Sequence, residues 1–318
     1  MIQIVEKRRW YFLFSAIIIL AGLAIMAYST ITTGTPFRLG IDFTGGSIWV
    51  AQLSEPVQPL ELLSVVEAAG YPGAEVTNVG NASTYQVRLK EITETQLVQL
   101  QDSLREAFPG NSVETIQFSS IQPSIGSEVT RAAFFAVLAA SIVILGFMVV
   151  AFRKVPSPFR FGTTAVVAMI HDLLITLTFF SIMSLLFGWR ADALILTALL
   201  TVMSFSMQDK IVVFDRIREN LPKYRGDSVS AIANRSILET IHRSLATQLN
   251  AIFVMVAILL FGGATIKQFI ATMLVGLVSG TYSSIFIAVP LLVAWFEHDL
   301  LGTKNKKQVE PAKPSLAS

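Results

Sequence analysis

The chain alternates long apolar segments with short polar connections. The apolar segments lie at 10–31, 132–152, 163–187, 191–214, 245–262 and 268–296. Each is close to the roughly 17 to 25 residues that a helix needs to cross a bilayer. The pattern predicts six membrane-spanning helices, and an even number places both ends of the chain on the same side of the membrane.

Residues 32–130, between the first two apolar segments, have the composition of a soluble domain. Their apolar periodicity predicts a strand at Ser47–Leu53, a helix at Pro59–Ala69, strands at Glu75–Val79 and Tyr85–Lys90, a helix at Glu94–Phe108 and a strand at Val113–Phe118. This order is that of the split βαβ, ferredoxin-like fold. The predicted fold class is a membrane protein: an all-α six-helix transmembrane bundle with an inserted α+β ferredoxin-like (βαββαβ) extracytoplasmic domain.

Charge gives the orientation of the bundle. Basic residues cluster before the first helix, between the second and third, between the fourth and fifth, and after the sixth, whereas the short loops on the opposite side carry only Arg190 and Lys267. Basic residues near helix ends stay cytoplasmic, so both termini are expected in the cytoplasm and residues 32–130 in the periplasm. This topology accounts for the net charge of +2 without any binding of nucleic acid.

The chain divides into four predicted parts. They are a cytoplasmic N-terminus with the first transmembrane helix at 1–31, the periplasmic ferredoxin-like domain at 32–130, transmembrane helices two to six at 131–300, and a disordered cytoplasmic tail at 301–318. The connection Leu221–Ile241 is predicted to hold one surface helix. The first apolar segment has the basic flank of a signal peptide but exceeds the roughly 7 to 15 residues of a signal core, which favours an uncleaved anchor helix.

Composition agrees with a membrane protein. Of the 318 residues, 53% are hydrophobic and 14% are charged, against roughly 25% charged in soluble domains. The absence of cysteine excludes disulfides, thiolate nucleophiles and cysteine-bound metals. The histidines, His171, His242 and His298, are too far apart for a local metal motif. We therefore expect no metal site, no bound cofactor and no enzymatic active site.

The fourth apolar segment ends in polar residues that lipid does not accommodate. Asp209 and Lys210 stand side by side, each about a quarter turn from its neighbour. Lys210 is expected to reach the nearby cytoplasmic surface, whereas the shorter Asp209 must be protonated, paired or hydrated inside the bundle. One further face of the same helix carries Thr197, Thr201, Ser204 and Gln208.

A carboxyl that changes between those states is a proton carrier. Arg243 is the candidate for a fixed positive charge beside it, because Arg243, Thr247 and Asn250 share one face at the start of the fifth helix. Two hypotheses stay open on physical grounds. Asp209 and Arg243 form a proton relay, or they form a static ion pair that holds the fourth and fifth helices together.

Three other features are candidate sites. His171 and Asp172 form a second polar spot in the third helix, for which a helix-packing hydrogen bond is favoured over a relay role. Glycines and an aspartate in GIDFTGG predict a sharp turn or a hinge between membrane and domain, at Gly40, Asp42, Gly45 and Gly46. A small residue at every fourth position of the sixth helix predicts a close-packed seam, at Thr272, Gly276, Gly280 and Ser284.

Several short motifs occur in a fixed order. They are GIDFTGG after the first helix, IHDLLIT in the third, VVFDRIREN at the end of the fourth, and HRSL before a fifth helix that ends LLFGG. In order and spacing they resemble the SecF family of the bacterial Sec protein-export machinery, a relative of the RND exporters, over residues 1–300. Where that family reads YSINDTVVVFDR, this chain reads FSMQDKIVVFDR, so Gln208 replaces an asparagine and Lys210 adds a charge beside the carboxylate.

The resemblance implies a role in protein export. In that family the residues matching Asp209 and Arg243 are implicated in proton conduction with an aspartate of SecD. It implies SecD, the SecYEG channel, YajC and an unfolded preprotein as partners, the bacterial inner membrane as location, and the proton gradient as energy source. The residues alone leave two alternatives: a half-size proton-driven exporter of small molecules or lipids, and a passive scaffold.

Overall fold

The computed structural model describes residues 3–155 and 157–298. The predicted tail at 301–318 lies outside these residues. The helices are α1 (Arg8–Thr33), α2 (Ile41–Thr44), α3 (Pro59–Ala68), α4 (Glu94–Ala107), α5 (Pro123–Ala151), α6 (Pro158–Phe187), α7 (Ala193–Lys223), α8 (Val229–Phe261), α9 (Ala264–Ser283) and α10 (Val289–Glu297). The strands are β1 (Gly46–Leu53), β2 (Glu75–Asn78), β3 (Thr84–Leu89) and β4 (Val113–Ile121).

Within the described ranges, six helical spans are long and apolar enough to cross a membrane. They are α1, α5, α6, α7, α8 and the continuous unit formed by α9, a π-helical turn at Ser284–Ala288 and α10. This last span is the centre of the bundle, because 72% of its most apolar window is buried, against 6% for α5. The predicted six-helix bundle is confirmed.

The α+β domain has the predicted topology. Its sheet has the strand order β2-β3-β1-β4, and every neighbouring pair is antiparallel. Leu62 of α3 and Leu100 of α4 are buried in the same core as Trp49 and Tyr85 of the sheet. Thr93 starts α4 with a capping box, in which its side chain and that of Gln96 bond each other's backbone N–H groups. The ferredoxin-like arrangement is therefore confirmed.

Two helices extend past the apolar segments that predicted them. α7 continues to Lys223, and α8 begins at Val229, where the Ser228 hydroxyl accepts a hydrogen bond from the backbone N–H of Ala231. The one surface helix predicted within Leu221–Ile241 is present as helix from Val229 onward, but the prediction of a surface position is wrong, because Ile232, Ala233 and Ile237 are buried. Residues 229–241 are the first turns of the fifth span, which continue without a break because their apolar side chains pack on the bundle core.

The stripe of small residues in the sixth span is buried. Its two glycines lie against α7: a Cβ at Gly276 would be 2.3 Å from Val202 Cγ2, and a Cβ at Gly280 would be 3.2 Å from the Cα of Ser206. Thr272 and Ser284 are fully buried at its ends. The missing side chains let α7 and α9 approach closely, and this contact brings the polar residues of the two helices together.

Candidate functional site

Asp172 of α6 and Lys210 of α7 form an ion pair in the middle of the bundle. Lys210 Nζ lies 2.9 Å from Asp172 Oδ2, and both side chains are 0% exposed. The ammonium also donates to the carbonyl oxygen and the hydroxyl of Ser206, at 3.0 and 2.6 Å. All three donors of the lysine are thus used.

The Asp172 carboxylate accepts hydrogen bonds from three helices. Oδ2 accepts from the hydroxyls of Ser206 and Ser283, each at 2.6 Å, in addition to Lys210. Oδ1 accepts from the Ser279 hydroxyl at 2.8 Å and lies 3.0 Å from His171 Nδ1. Residues of α6, α7 and α9 are therefore joined through one carboxylate, as a satisfied buried polar network requires.

The prediction that Lys210 reaches the membrane surface is wrong. Lys210 stays inside the bundle because Asp172 supplies a countercharge there, and serine side chains complete the hydrogen bonding of both charged groups. Asp172 and Lys210 are 38 positions apart in the sequence, so a local sequence pattern does not reveal that they pair. One signal was available: Ser206 and Lys210, and likewise Ser279 and Ser283, are four residues apart and therefore share a helical face.

Asp209, the residue beside Lys210, has a different environment. It is 3% exposed, and its Oδ2 has no hydrogen-bond partner among the described residues. The side chain of Gln248 on α8 lies close enough to interact with the carboxyl. A buried carboxyl oxygen without a donor is uncommon in proteins and calls for a functional explanation.

The expected contact between Asp209 and Arg243 is not formed within the described residues. Arg243 is exposed on the outer surface of α8, and no ion pair joins it to Asp209 in the ranges 3–155 and 157–298. We define the α7–α8 polar face as the exposed residues Thr197, Ser204 and Gln208 of α7 and Arg243, Thr247 and Asn250 of α8. Polar groups on a spanning surface are expensive in lipid, so this face indicates contact with another protein or with water.

The segment GIDFTGG forms the short helix α2 and packs tightly at the junction of domain and bundle. The backbone N–H of Gly40 donates to the Ala191 carbonyl at 2.6 Å, and Asp42 Oδ2 accepts from the backbone N–H of Ala193 at 2.8 Å. Gly45 and Gly46 have φ values of 73° and 117°, which favour glycine. The sharp turn is therefore present, and the segment is clamped against the start of α7; its role as a hinge stays a prediction.

Charged residues surround the same junction. Glu75 of β2 forms an ion pair with Arg190, which precedes α7. Asp192 is the N-cap of α7, and its Oδ1 accepts a hydrogen bond from the backbone N–H of Ile195 at 3.1 Å. Burial raises the pKa of the Asp192 carboxyl above its ordinary value, and the nearby Asp42 carboxylate adds to that rise. The start of α7, the helix that carries Asp209 and Lys210, is thus held by carboxyls from two segments.

Replacing Asp192 with asparagine tests this pKa shift. Because the pKa of Asp192 is raised in the folded state, its contribution to stability is complete below the unfolded pKa and is lost as pH rises through the folded pKa. Asparagine caps a helix as well as aspartate does but does not titrate. We expect Asp192→Asn to be at least as stable as the parent at pH 7 and to gain less on acidification, measured as the difference in melting temperature between pH 7 and pH 4.

The control for that experiment is Asp192→Ala, which removes the cap as well as the charge. It should be about 1 kcal/mol less stable than Asp192→Asn at every pH, because neither variant titrates and alanine also lacks the capping hydrogen bond. An Asp192→Asn variant whose melting temperature follows the pH dependence of the parent would show that this carboxyl has an ordinary pKa.

Comparison with known proteins decides the family. The family model for the protein export membrane protein SecD/SecF, C-terminal, matches residues 99–298, and that for the SecD/SecF GG motif matches residues 30–57. The protein translocase subunit SecF of Thermobaculum terrenum is 41% identical over 98% of this chain and 99% of its own length. The chain belongs to the SecF family of protein translocase subunits. SecF of Anaerolinea thermophila is 42% identical over 93% of this chain and 94% of its own length.

Two solved structures share the fold of this SecF-family chain. SecDF, a translocon-associated membrane protein from Thermus thermophilus, matches with a TM-score of 0.78 and 28% identity, over 93% of this chain and 39% of that one. SecDF in a super-membrane-facing form matches with a TM-score of 0.65 and 29% identity, over the same shares. This chain thus spans well under half of the SecDF chains. The predicted family is confirmed, and with it a multi-pass membrane protein with a role in transport.

Proposed function

We propose that this chain is one half of a proton-driven protein-export unit, and that Asp209 is the group that takes up and releases the proton. The observation that supports this most directly is the state of the Asp209 carboxyl. It is buried in a spanning helix with one oxygen lacking a hydrogen-bond donor among the described residues, and it lies next to the exposed Gln208 of the α7–α8 polar face. Such a carboxyl is open to a proton, a water molecule or a partner's side chain.

The second half of the unit is a SecD protein bound at the α7–α8 polar face. Thr247 and Asn250 lie within the apolar segment 245–262, and polar side chains exposed there are costly in lipid and are normally directed to a bundle interior or a watery cavity. A second bundle that covers this face meets that condition and also covers Arg243 at the membrane surface. The SecDF neighbours support this, because this chain matches only 39% of their length.

In this arrangement Arg243 is a fixed charge and Asp209 is the group that changes. Among the described residues of this chain by itself, Arg243 does not contact Asp209, so the proposal requires that docking of the second bundle brings the two within reach. Arginine stays protonated at any relevant pH, so it then biases the carboxyl without exchanging a proton itself. One proton that crosses about 100 mV releases about 2.3 kcal/mol. That energy is enough to shift a two-state equilibrium by a factor of roughly 50, so we expect several protons per exported chain.

The movement reaches the outer domain through α7. Asp209 lies in this helix, and the first turn of the same helix is held by Asp192 and by Asp42 of the GIDFTGG segment. A shift of α7 on proton binding therefore acts directly on the segment that enters β1. We propose that this movement helps draw an unfolded preprotein outward from the SecYEG channel, with YajC as a further partner.

The proposed location is the bacterial inner membrane, with both termini in the cytoplasm and residues 32–130 in the periplasm. The distribution of basic residues supports this orientation, because the connection between α7 and α8 is flanked by Arg216, Arg218 and Lys223 whereas the opposite short loops carry Arg190 and Lys267. The proposed energy source is the proton gradient, with no bound cofactor.

Asp209→Asn tests the proposal. Asparagine keeps the size of the side chain but does not take up a proton, so proton-dependent export should fall about 100-fold, the scale on which general acid–base groups act. The measurement is export of a secreted precursor into inverted membrane vesicles that contain this chain with SecD and SecYEG, with and without a proton gradient.

Asp215→Asn is the matched control, because it makes the same change later in α7. Asp215 forms an exposed ion pair with Arg218, 2.6 Å apart, which should contribute little. Its export should stay near that of the parent. If Asp209→Asn assembles with SecD and exports as well as Asp215→Asn, the chain is a passive scaffold and the proposal is wrong.

A further inference from the structure

Lys210 is placed to set the direction in which α7 presents Asp209. We propose that Lys210 is a positioning residue for the proton site: its ion pair with Asp172 fixes the rotation of α7 about its own axis. The inference rests on the proposed role of Asp209. It concerns a lysine that no resemblance assigns, at a position where the matching sequence of the family has threonine.

The geometry of an α-helix links the two side chains. Consecutive residues project about 100° apart, so the direction of one fixes the direction of the other. Lys210 is directed inward, to Asp172 of α6 and to the hydroxyl of Ser206. Asp209 is directed to Gln248 of α8, beside the exposed polar face. A rotation of α7 that released Lys210 would also turn Asp209 away from α8.

The hydrogen bonds show why the Asp172–Lys210 pair holds α7 in a fixed orientation relative to α6. Lys210 uses its three donors on three acceptors, and Asp172 accepts from Lys210, three serines and His171. A proton entering this site must displace at least one of these bonds. At Asp209 one oxygen is free of any donor from the described residues, so a proton displaces none there.

The charged and titratable groups around the pair come from three helices. They are His171 and Asp172 on α6, Asp209 on α7, and Tyr282 on α9, whose ring centroid lies 6.4 Å from that of His171. The α8 residue that interacts with Asp209 is the neutral Gln248. His171 Nε2 is buried without a partner among the described residues, so this imidazole offers a competing route to Asp172. A test must therefore distinguish an Asp172–Lys210 pair that only positions α7 from a pair that itself carries protons.

The test compares Lys210→Met with the double variant Asp172→Asn/Lys210→Met. The single change leaves Asp172 as an unpaired buried carboxyl, whereas the double change replaces both ions with neutral side chains of similar size, a replacement that proteins often tolerate well. Export at several pH values is measured with these variants in membranes that contain SecD and SecYEG. For labelling alone, a second copy of the parent and of each variant carries Ser204→Cys on the exposed face of α7; because the sequence has no cysteine, the introduced thiol is the single label site of this chain. The rate of thiol labelling is measured in membranes without SecD, where the α7–α8 polar face is uncovered.

We expect Lys210→Met to lower proton-dependent export by about 100-fold, the effect of a displacement on the order of 1 Å at a reacting group. Its labelling rate should fall, because rotation carries position 204 off the exposed face, and its pH profile should gain the titration of Asp172. The double variant should recover most of the export, the parent labelling rate and the parent pH profile. We expect export to recover in large part rather than in full, because the serine hydroxyls then donate to an asparagine oxygen, which is a weaker acceptor than a carboxylate.

Two results overturn the inference. If Lys210→Met keeps the export and labelling rate of the parent, Lys210 does not position α7. If the double variant accumulates normally but loses pH-dependent export, the Asp172–Lys210 pair carries protons itself. Should Lys210→Met fail to accumulate, the double variant alone decides between these two roles. Asp209→Asn is run in parallel: its full activity would overturn the proposed function, whereas its loss with a normal Lys210→Met overturns only the role of Lys210.

Discussion

Replacing Asp172 with asparagine is expected to lower the free energy of unfolding of the helical bundle by about 3 kcal/mol, the lower end of the range for breaking a buried ion pair. The asparagine oxygen still accepts a hydrogen bond, but Lys210 loses its countercharge at a position with 0% exposure. Ser279 and Ser283 then donate to a weaker acceptor. The loss arises mainly from the uncompensated ammonium, since a buried charge without a partner is more costly than the pair is favourable.

The measurement is unfolding of the purified chain by detergent titration in mixed micelles, with helix content as the signal. Asp102→Asn is the control, because Asp102 pairs with Arg105 at 2.9 Å on the exposed surface of α4. Exposed pairs contribute less than about 1 kcal/mol, so this variant should unfold close to the parent. Equal losses in the two variants would mean that Lys210 finds another countercharge or water once Asp172 is neutral.

The architecture was predictable because its signals are local. Each span is a long apolar segment, and the outer domain has alternating strands and amphipathic helices bounded by turns. The boundaries were less predictable. α8 begins at Val229 rather than near residue 245, because a helix continues past the bilayer wherever its buried side chains, such as Ile237, still find a core to pack against. Hydropathy predicts which residues lie within the bilayer, whereas the position at which a helix begins or ends depends on tertiary packing.

The candidate site was predictable only in part. Asp209 can be identified from the sequence alone, because it is an acidic residue in an apolar segment. The partner of Lys210 depends on which faces of α6 and α7 meet, and that is set by close contacts such as those of Gly280 with Ser206. Solvent at the membrane surface and Asp172 in the bundle both satisfy a lysine. Which of the two Lys210 reaches depends on which groups lie near it in the folded chain, and this cannot be read from the spacing of residues along the sequence.

The junction of the domain and the bundle depends on glycine at position 45. Its φ is 73° with ψ at 175°, a conformation that residues with a side chain rarely adopt, and a Cβ there would lie 2.5 Å from the Cα of Pro123 at the start of α5. Gly126, one turn further on, packs on the same segment, since a Cβ at that position would lie 2.8 Å from the backbone nitrogen of Gly45. Gly45→Ala should therefore lower the free energy of unfolding by about 2–4 kcal/mol, through backbone strain and overpacking together.

Gly34→Ala separates these two contributions. Gly34, at the end of α1, also has a positive φ, of 82°, but a Cβ there meets no atom within 4 Å. It should cost about 1–2 kcal/mol through the left-handed backbone alone. Since the close contact at Gly45 holds α5 against the segment that bonds to the start of α7, Gly45→Ala should also reduce proton-dependent export, whereas Gly34→Ala should not. Equal stability losses, with equal export, would mean that the contact with Pro123 relaxes freely and that the junction does not transmit movement between the bundle and the outer domain.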